Sequence, residues 1–171
     1  MPERAILLFP NGKQLDTIQE IRRKYDPLAE LVPPHITLVF PFQSDISTSD
    51  LESHLKASAK DINRFTAAFQ KANVVGSEYV FLSVDQGVDI ITDLHDRLYT
   101  SVLAPYLKRE IPYQPHLTLG RTTNKETLVR ACNEANQKVH SLELEVTSII
   151  IERIAADQSS QTEVEFLLGE A

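Results

Sequence analysis

The pentapeptide Pro34-His35-Ile36-Thr37-Leu38 returns as Pro115-His116-Leu117-Thr118-Leu119, and each copy sits within the same order of predicted elements. In the first pass, Ala5 to Phe9 reads as a short apolar strand stopped by the turn residues Pro10-Asn11-Gly12. Leu15, Ile18 and Ile21 recur at helical spacing between Gln14 and Tyr25. Pro33-Pro34 resets the backbone, because a residue before proline avoids the helical region. The strand His35 to Phe40 follows, and Pro41 is expected to end it. Ser47-Thr48-Ser49 caps a helix carrying Leu51, Leu55 and Ala59, and Phe65 to Val75 is a third strand closed by a tight turn at Gly76-Ser77.

The second pass repeats the first. Tyr79 to Val84 is a strand, Ile90 to Leu103 a helix, and His116 to Gly120 the second histidine strand. Thr123-Asn124 caps a helix to about Val139, and Leu142 to Ile154 reads as one long strand. A last strand within 162–168 is expected to return against it as a hairpin. The chain therefore reads as one bilobed domain of the α+β class, with an internal repeat of roughly 4–76 and 78–155. Each half is expected to be a mainly antiparallel sheet flanked by helices. Pseudo-two-fold packing would then bring the two histidine strands together around a central cleft. No linker rich in proline, glycine or serine separates the halves.

Strand periodicity turns the pentapeptide into a geometric statement. Residues i and i+2 share a face and lie about 6.5 to 7 Å apart. His35 and Thr37 therefore point one way while Ile36 and Leu38 enter the core behind them, and His116, Thr118, Leu117 and Leu119 do the same. Two imidazoles and two hydroxyls facing one cleft suit phosphoryl transfer. Histidine titrates near neutrality, so one ring can serve as base while the other serves as acid. Threonine hydroxyls can donate to nonbridging phosphate oxygens. Arg121 follows the second motif and offers a planar fork of donors, but plain alternation points it away from His116 and Thr118 unless Gly120 introduces a bulge.

On these two motifs the sequence resembles the 2H phosphoesterases, whose signature is two His-x-Thr/Ser-x motifs on duplicated halves. The group includes 2′-5′ RNA ligase-like proteins and 2′,3′-cyclic nucleotide phosphodiesterases. Leu7-Leu8-Phe9-Pro10, Tyr25-Asp26-Pro27 and Leu31-Val32-Pro33-Pro34-His35 resemble a small bacterial branch of it. The resemblance implies His35 and His116 as the catalytic acid–base pair and Thr37 and Thr118 as phosphate ligands. Arg121 matches an arginine of the ligase-like members, whereas Val39 offers nothing equivalent after the first motif. The reaction implied is metal-independent opening of a 2′,3′-cyclic phosphate, or making and breaking of a 2′-5′ link, at an RNA end or small nucleotide. Two other readings share the cleft: a non-catalytic binder of RNA ends or phosphorylated ligands, and a phosphodiesterase for another cyclic phosphate such as an ADP-ribose derivative.

Charge bounds the substrate. A net charge of −7, a pI near 5.2 and the lack of a run of Lys or Arg sufficient to neutralise a phosphate backbone argue against a long nucleic acid held by its phosphates. A small nucleotide or an RNA end fits better, with the protein acting as a monomer. The single cysteine, Cys132, excludes an intrachain disulfide and reads as a packing residue. The apolar run at Ala5 to Phe9 is too short for a signal peptide, and no stretch approaches a membrane span, so a cytoplasmic protein is expected. His54 reads as a solvated surface residue, His95 as solvated or helix-packed and His140 as a helix-end residue. None has metal-ligand spacing, so neither a metal nor another cofactor is expected. Phe42, Tyr79, Phe81 and Tyr113 lie near strand or loop ends. Tyr113 and Phe42 are the candidates for stacking on a base, and Phe81 reads as core.

Overall fold

Twelve elements follow one another as β1 (Glu3–Leu8), α1 (Leu15–Tyr25), β2 (Ile36–Gln43), α2 (Thr48–Ser58), β3 (Phe65–Val75), β4 (Tyr79–Val84), α3 (Val88–Leu98), β5 (His116–Arg121), α4 (Lys125–Lys138), β6 (Glu143–Val146), β7 (Ser148–Ile154) and β8 (Ser160–Leu167) in the computed structural model, which describes residues 1–170. They form two four-stranded sheets, ordered β2-β1-β7-β8 and β5-β4-β3-β6, and every pairing is antiparallel. The α+β class with two lobes is as expected. Local chemistry sets several ends: the Ser47 hydroxyl caps α2 by accepting from Asp50 N at 3.1 Å, and the Asn124 side chain caps α4 by accepting from Thr127 N at 2.9 Å.

The sheets do not follow the two sequence halves. β3, the third strand of the first half, joins the second sheet beside β4. The stretch expected as one strand from Leu142 to Ile154 divides at Thr147. β6 pairs with β3 in the second sheet, while β7 crosses to pair with β1 in the first. A single straight strand cannot serve two sheets, which is why it breaks. The helices cross over as well: α1 packs against β5 and α4, and α3 packs against β2 and α2. Each half thus lends a strand and a helix to the other lobe.

Two further ends differ from expectation. β2 continues through Pro41 to Gln43. It is an edge strand, and Pro41 falls where the register shifts between Phe42↔Arg4 and Val39↔Ile6, so its missing N–H costs no ladder bond. α3 stops at Leu98 instead of Leu103, where Thr100 Oγ1 donates to the Arg97 carbonyl at 2.7 Å and a 3-10 turn at Ser101–Tyr106 follows. The expected hairpin forms, with β8 beginning at Ser160.

One buried cluster joins the lobes. Ile6, Leu8, Ile36 and Leu38 of the first sheet meet Val80, Leu82, Leu117 and Leu119 of the second, all at most 1% exposed. Each such side chain contributes about 1.5–3 kcal/mol by leaving water. The four apolar residues of the two pentapeptides therefore anchor the histidine strands from behind. No helix among the described residues is long and apolar enough to cross a membrane.

Candidate active site

His35 immediately precedes β2 and His116 opens β5. The two strands approach each other, and the His116 charge is one of those disfavouring protonation of His35. Both rings are tethered in the same way. Nδ1 of His35 lies 2.8 Å from the Pro33 carbonyl oxygen, and Nδ1 of His116 lies 2.6 Å from the Gln114 carbonyl oxygen. A carbonyl can only accept, so each Nδ1 carries the proton and each neutral ring presents its Nε2 lone pair. Thr37 and Thr118 are half-buried two residues further along, on the same faces as their histidines.

Matching bulges follow the two threonines. Thr37 faces Leu7 while Val39 faces Ile6, leaving Leu38 as the extra residue. Thr118 faces Phe81 while Gly120 faces Val80, leaving Leu119 as the extra residue. An extra residue reverses the alternation beyond it. Arg121 is thereby turned onto the face of His116 and Thr118, opposite Tyr79, with its guanidinium 5.3 Å from the Tyr79 ring centroid. Plain alternation would have pointed Arg121 away, and the bulge that reverses it inserts Leu119 rather than Gly120. Gly120 serves the packing instead, since a Cβ there would sit 3.1 Å from the Tyr25 Cβ and its absence lets α1 close against β5. In the first lobe the position corresponding to Arg121 is Phe40 and not Val39, which points into the core.

The aromatic residues are placed differently from expectation. Phe81 is the cross-strand partner of Thr118, and its ring stacks on His116 with centroids 3.5 Å apart and planes at 15°. Tyr79 lies 5.4 Å from Phe81, so Arg121, Tyr79, Phe81 and His116 form one continuous row. The Tyr-x-Phe alternation of β4 was the available signal, and only the strand register shows which face it decorates. In the first lobe, Phe9 meets His35 edge to face at 6.4 Å. Tyr113 is not free to stack on a base. Its ring lies on His95 at 3.6 Å, and its hydroxyl donates to the Thr37 carbonyl at 2.8 Å. Phe42 is 5% exposed and packs against Tyr106, so it too is removed from base stacking.

Tyr113 belongs to a set that covers the free edge of β2. His95 Nδ1 donates to the Leu38 carbonyl at 2.8 Å, and Phe40 N donates to the Tyr99 hydroxyl at 2.9 Å. His95 is thus helix-packed and buried, and His54 is held by the Leu98 carbonyl at 2.8 Å instead of standing in solvent. Cys132 donates to the Ala72 carbonyl as a packing residue.

Beneath His35 lies a buried ion pair. Arg22 Nε is 3.3 Å from Asp26 Oδ2, and the same guanidinium donates to Gln19 and to the Val32 carbonyl at 2.9 Å each. Burial, seconded by the Arg22 charge and opposed by the Pro33 carbonyl and Asp26, pushes His35 down to about 4. Burial likewise lowers His116, against the Gln114 carbonyl. Both rings are therefore neutral at pH 7 before any anion binds. Because the unfolded His35 would bind its proton near 6.5, the stability gained from keeping it neutral is complete above that pH and is lost as pH falls toward 4. Melting temperature is expected to drop between pH 7 and 4.5, less steeply in His35→Gln; an identical slope in thermal melts would contradict this.

Among the described residues no three His, Cys, Asp or Glu side chains converge as a metal site. A cavity of about 340 Å³ lies behind the His35 loop, lined by residues such as Leu15, Gln19, Leu31 and Pro34, and contains neither histidine.

The family described as the 2′-5′ RNA ligase superfamily matches residues 9–158. The chain belongs to that superfamily. Among curated relatives of this 2′-5′ RNA ligase superfamily protein, one from Geobacillus thermodenitrificans named "Putative phosphoesterase" is 33% identical over 126 residues, covering 68% of each chain. A second of that name from Bacillus licheniformis is 29% identical over 120 residues, covering 68% of this chain and 69% of its own. Among solved structures, E. coli LigT complexed with 3′-AMP aligns over 98% of both chains with a TM-score of 0.63 at 19% identity. TT0787 of Thermus thermophilus aligns over 99% of this chain and 100% of its own with a TM-score of 0.68 at 17% identity. These likenesses agree with the two-lobed fold.

Proposed function

We propose that the protein is a metal-independent phosphoesterase acting on a 2′,3′-cyclic phosphate or a 2′-5′ phosphodiester of an RNA end or small nucleotide. The observation that carries this reading is the pair of imidazoles with Nδ1 tied to a carbonyl two residues back and Nε2 left for chemistry. Superfamily membership and the phosphoesterase names of the relatives support the same class. Complexes of the distant LigT fold with 3′-AMP, ATP and NADP+ support a small nucleotide over a long polymer, in line with the net charge of −7.

In the hydrolytic direction one neutral histidine takes a proton from water at its Nε2 while the water oxygen bonds to phosphorus. The bond from phosphorus to the 3′ oxygen breaks, and the other histidine, protonated, gives its Nε2 proton to that oxygen, leaving a 2′-phosphate. Thr37 and Thr118 donate to the nonbridging oxygens, and Arg121 adds positive charge on the side of β5. In ligation a 5′-hydroxyl replaces the water. The reaction needs one ring protonated, and the anionic substrate favours that by raising the pKa of the rings it touches.

The test is turnover of 2′,3′-cyclic nucleotides and short cyclic-ended RNAs in the presence of EDTA. Sustained turnover is expected; turnover that EDTA removes would overturn the metal-free reading, and tight binding without turnover would favour a non-catalytic binder. The pH dependence is a sharper check. With His35 near 4 and His116 below its ordinary value, kcat/KM should trace a bell whose maximum lies below neutrality. The acid limb falls as the second ring is protonated, and the alkaline limb falls as the last proton leaves the pair. The kcat profile should sit at higher pH, because the bound anion retains that proton. A flat kcat/KM from pH 3 to 8 would argue against the pair.

A further inference from the structure

The first His-x-Thr motif carries no arginine corresponding to Arg121, yet its lobe does present a cation. Phe40 stands where Arg121 stands in the other lobe: beyond the bulge, on the face of His35 and Thr37. Lys108, from the loop that leads into His116, places its Nζ 5.9 Å from the Phe40 ring centroid. The arrangement mirrors Arg121, whose guanidinium lies 5.3 Å from the ring of Tyr79. Tyr113 holds the same loop in place, its ring edge-on to Phe40 at 6.5 Å and its hydroxyl on the Thr37 carbonyl at 2.8 Å. Lys24, Lys56 and Lys138 are each paired with a glutamate. Lys108 is half-buried and, among the described residues, has no carboxylate partner. A half-buried ammonium set over a ring and left without a counter-ion is poised for an anion from outside the chain.

We propose that Lys108 is the substrate-binding cation of the lobe that carries His35, and that it holds a second phosphate of the substrate. Phe40 lies two ladder steps beyond Thr37, about 6.5–7 Å along the strand because the bulge at Leu38 absorbs one residue, and Lys108 Nζ stands a further 5.9 Å from its ring centroid. Lys108 is therefore placed past the phosphate that the two threonines would hold, where the next phosphate of a dinucleotide or RNA end would run. Arg121 flanks the reacting phosphate on the side of β5, whereas Lys108, on the side of β2, stands beyond it at the next phosphate. This rests on the phosphoesterase reading and extends it to a substrate with at least two phosphates.

The experiment compares adenosine 2′,3′-cyclic phosphate, which has one phosphate, with a diadenosine ending in a 2′,3′-cyclic phosphate, which has two. Lys108→Met should raise KM about tenfold for the dinucleotide, leave kcat unchanged and leave the mononucleotide within twofold, while Lys108→Arg restores the dinucleotide KM. Equal losses on both substrates, or none, would overturn the assignment. A binding arm reads Lys108 independently of catalysis: calorimetry with adenosine 3′-phosphate and adenosine 3′,5′-bisphosphate. The wild type should prefer the bisphosphate and Lys108→Met should lose that preference. Absence of wild-type turnover with this preference intact would sink the phosphoesterase reading and leave Lys108 standing. A wild type without the preference, or a variant that keeps it, would sink the Lys108 proposal whatever the turnover.

Discussion

Replacing either His35 or His116 with alanine is expected to lower kcat on a 2′,3′-cyclic phosphate by about 10²–10⁴-fold, the usual contribution of a positioned general acid or base. In the proposed reaction the two rings act in one step, one taking a proton while the other gives one. The double substitution should therefore lose little more than the worse of the singles. The fold should survive, because each ring bonds only a carbonyl two residues away and keeps part of its surface open. Steady-state kinetics with circular dichroism on the same samples make the check. Activity within threefold of wild type in a folded His35→Ala or His116→Ala would refute the acid–base pair.

Asp26→Ala is expected to destabilise the protein by about 3–5 kcal/mol, because it leaves the Arg22 guanidinium buried without its counter-charge. Both side chains are at most 4% exposed, so water cannot replace the lost carboxylate. Asp26 also accepts from Leu28 N at 3.0 Å, which holds the start of the loop whose Pro33 carbonyl tethers His35. For a chain of this length the loss corresponds to a fall in Tm of roughly 6–20 °C. Turnover should fall with it as the tether loosens. Adding Arg22→Met should recover part of the loss, since an apolar side chain of similar length no longer needs a partner. A Tm shift under 2 °C for Asp26→Ala, or a double variant less stable than both singles combined, would contradict this account.

The sequence alone determined the local parts of this molecule. The Pro-His-aliphatic-Thr-Leu repeat placed His35 with Thr37 and His116 with Thr118 on one face of each strand, because side-chain alternation is a property of the extended backbone. Ser47 and Asn124 named two helix starts, because a cap acts over three residues. Tertiary structure decided everything that depends on which strand lies beside which. β3 and β7 join the lobe of the opposite half, and nothing between Leu142 and Ile154 announces a break at Thr147, because pairing is set by partners far away in the chain. The extra residues Leu38 and Leu119 exist only relative to β1 and β4, yet Leu119 is what turns Arg121 toward His116. For the same reason Phe81 went from an expected core residue to the stacking partner of His116, while Tyr113 and Phe42 went from expected base contacts to packing positions. An alternation names two faces, and only the register and the layer packed behind it decide which face meets the substrate.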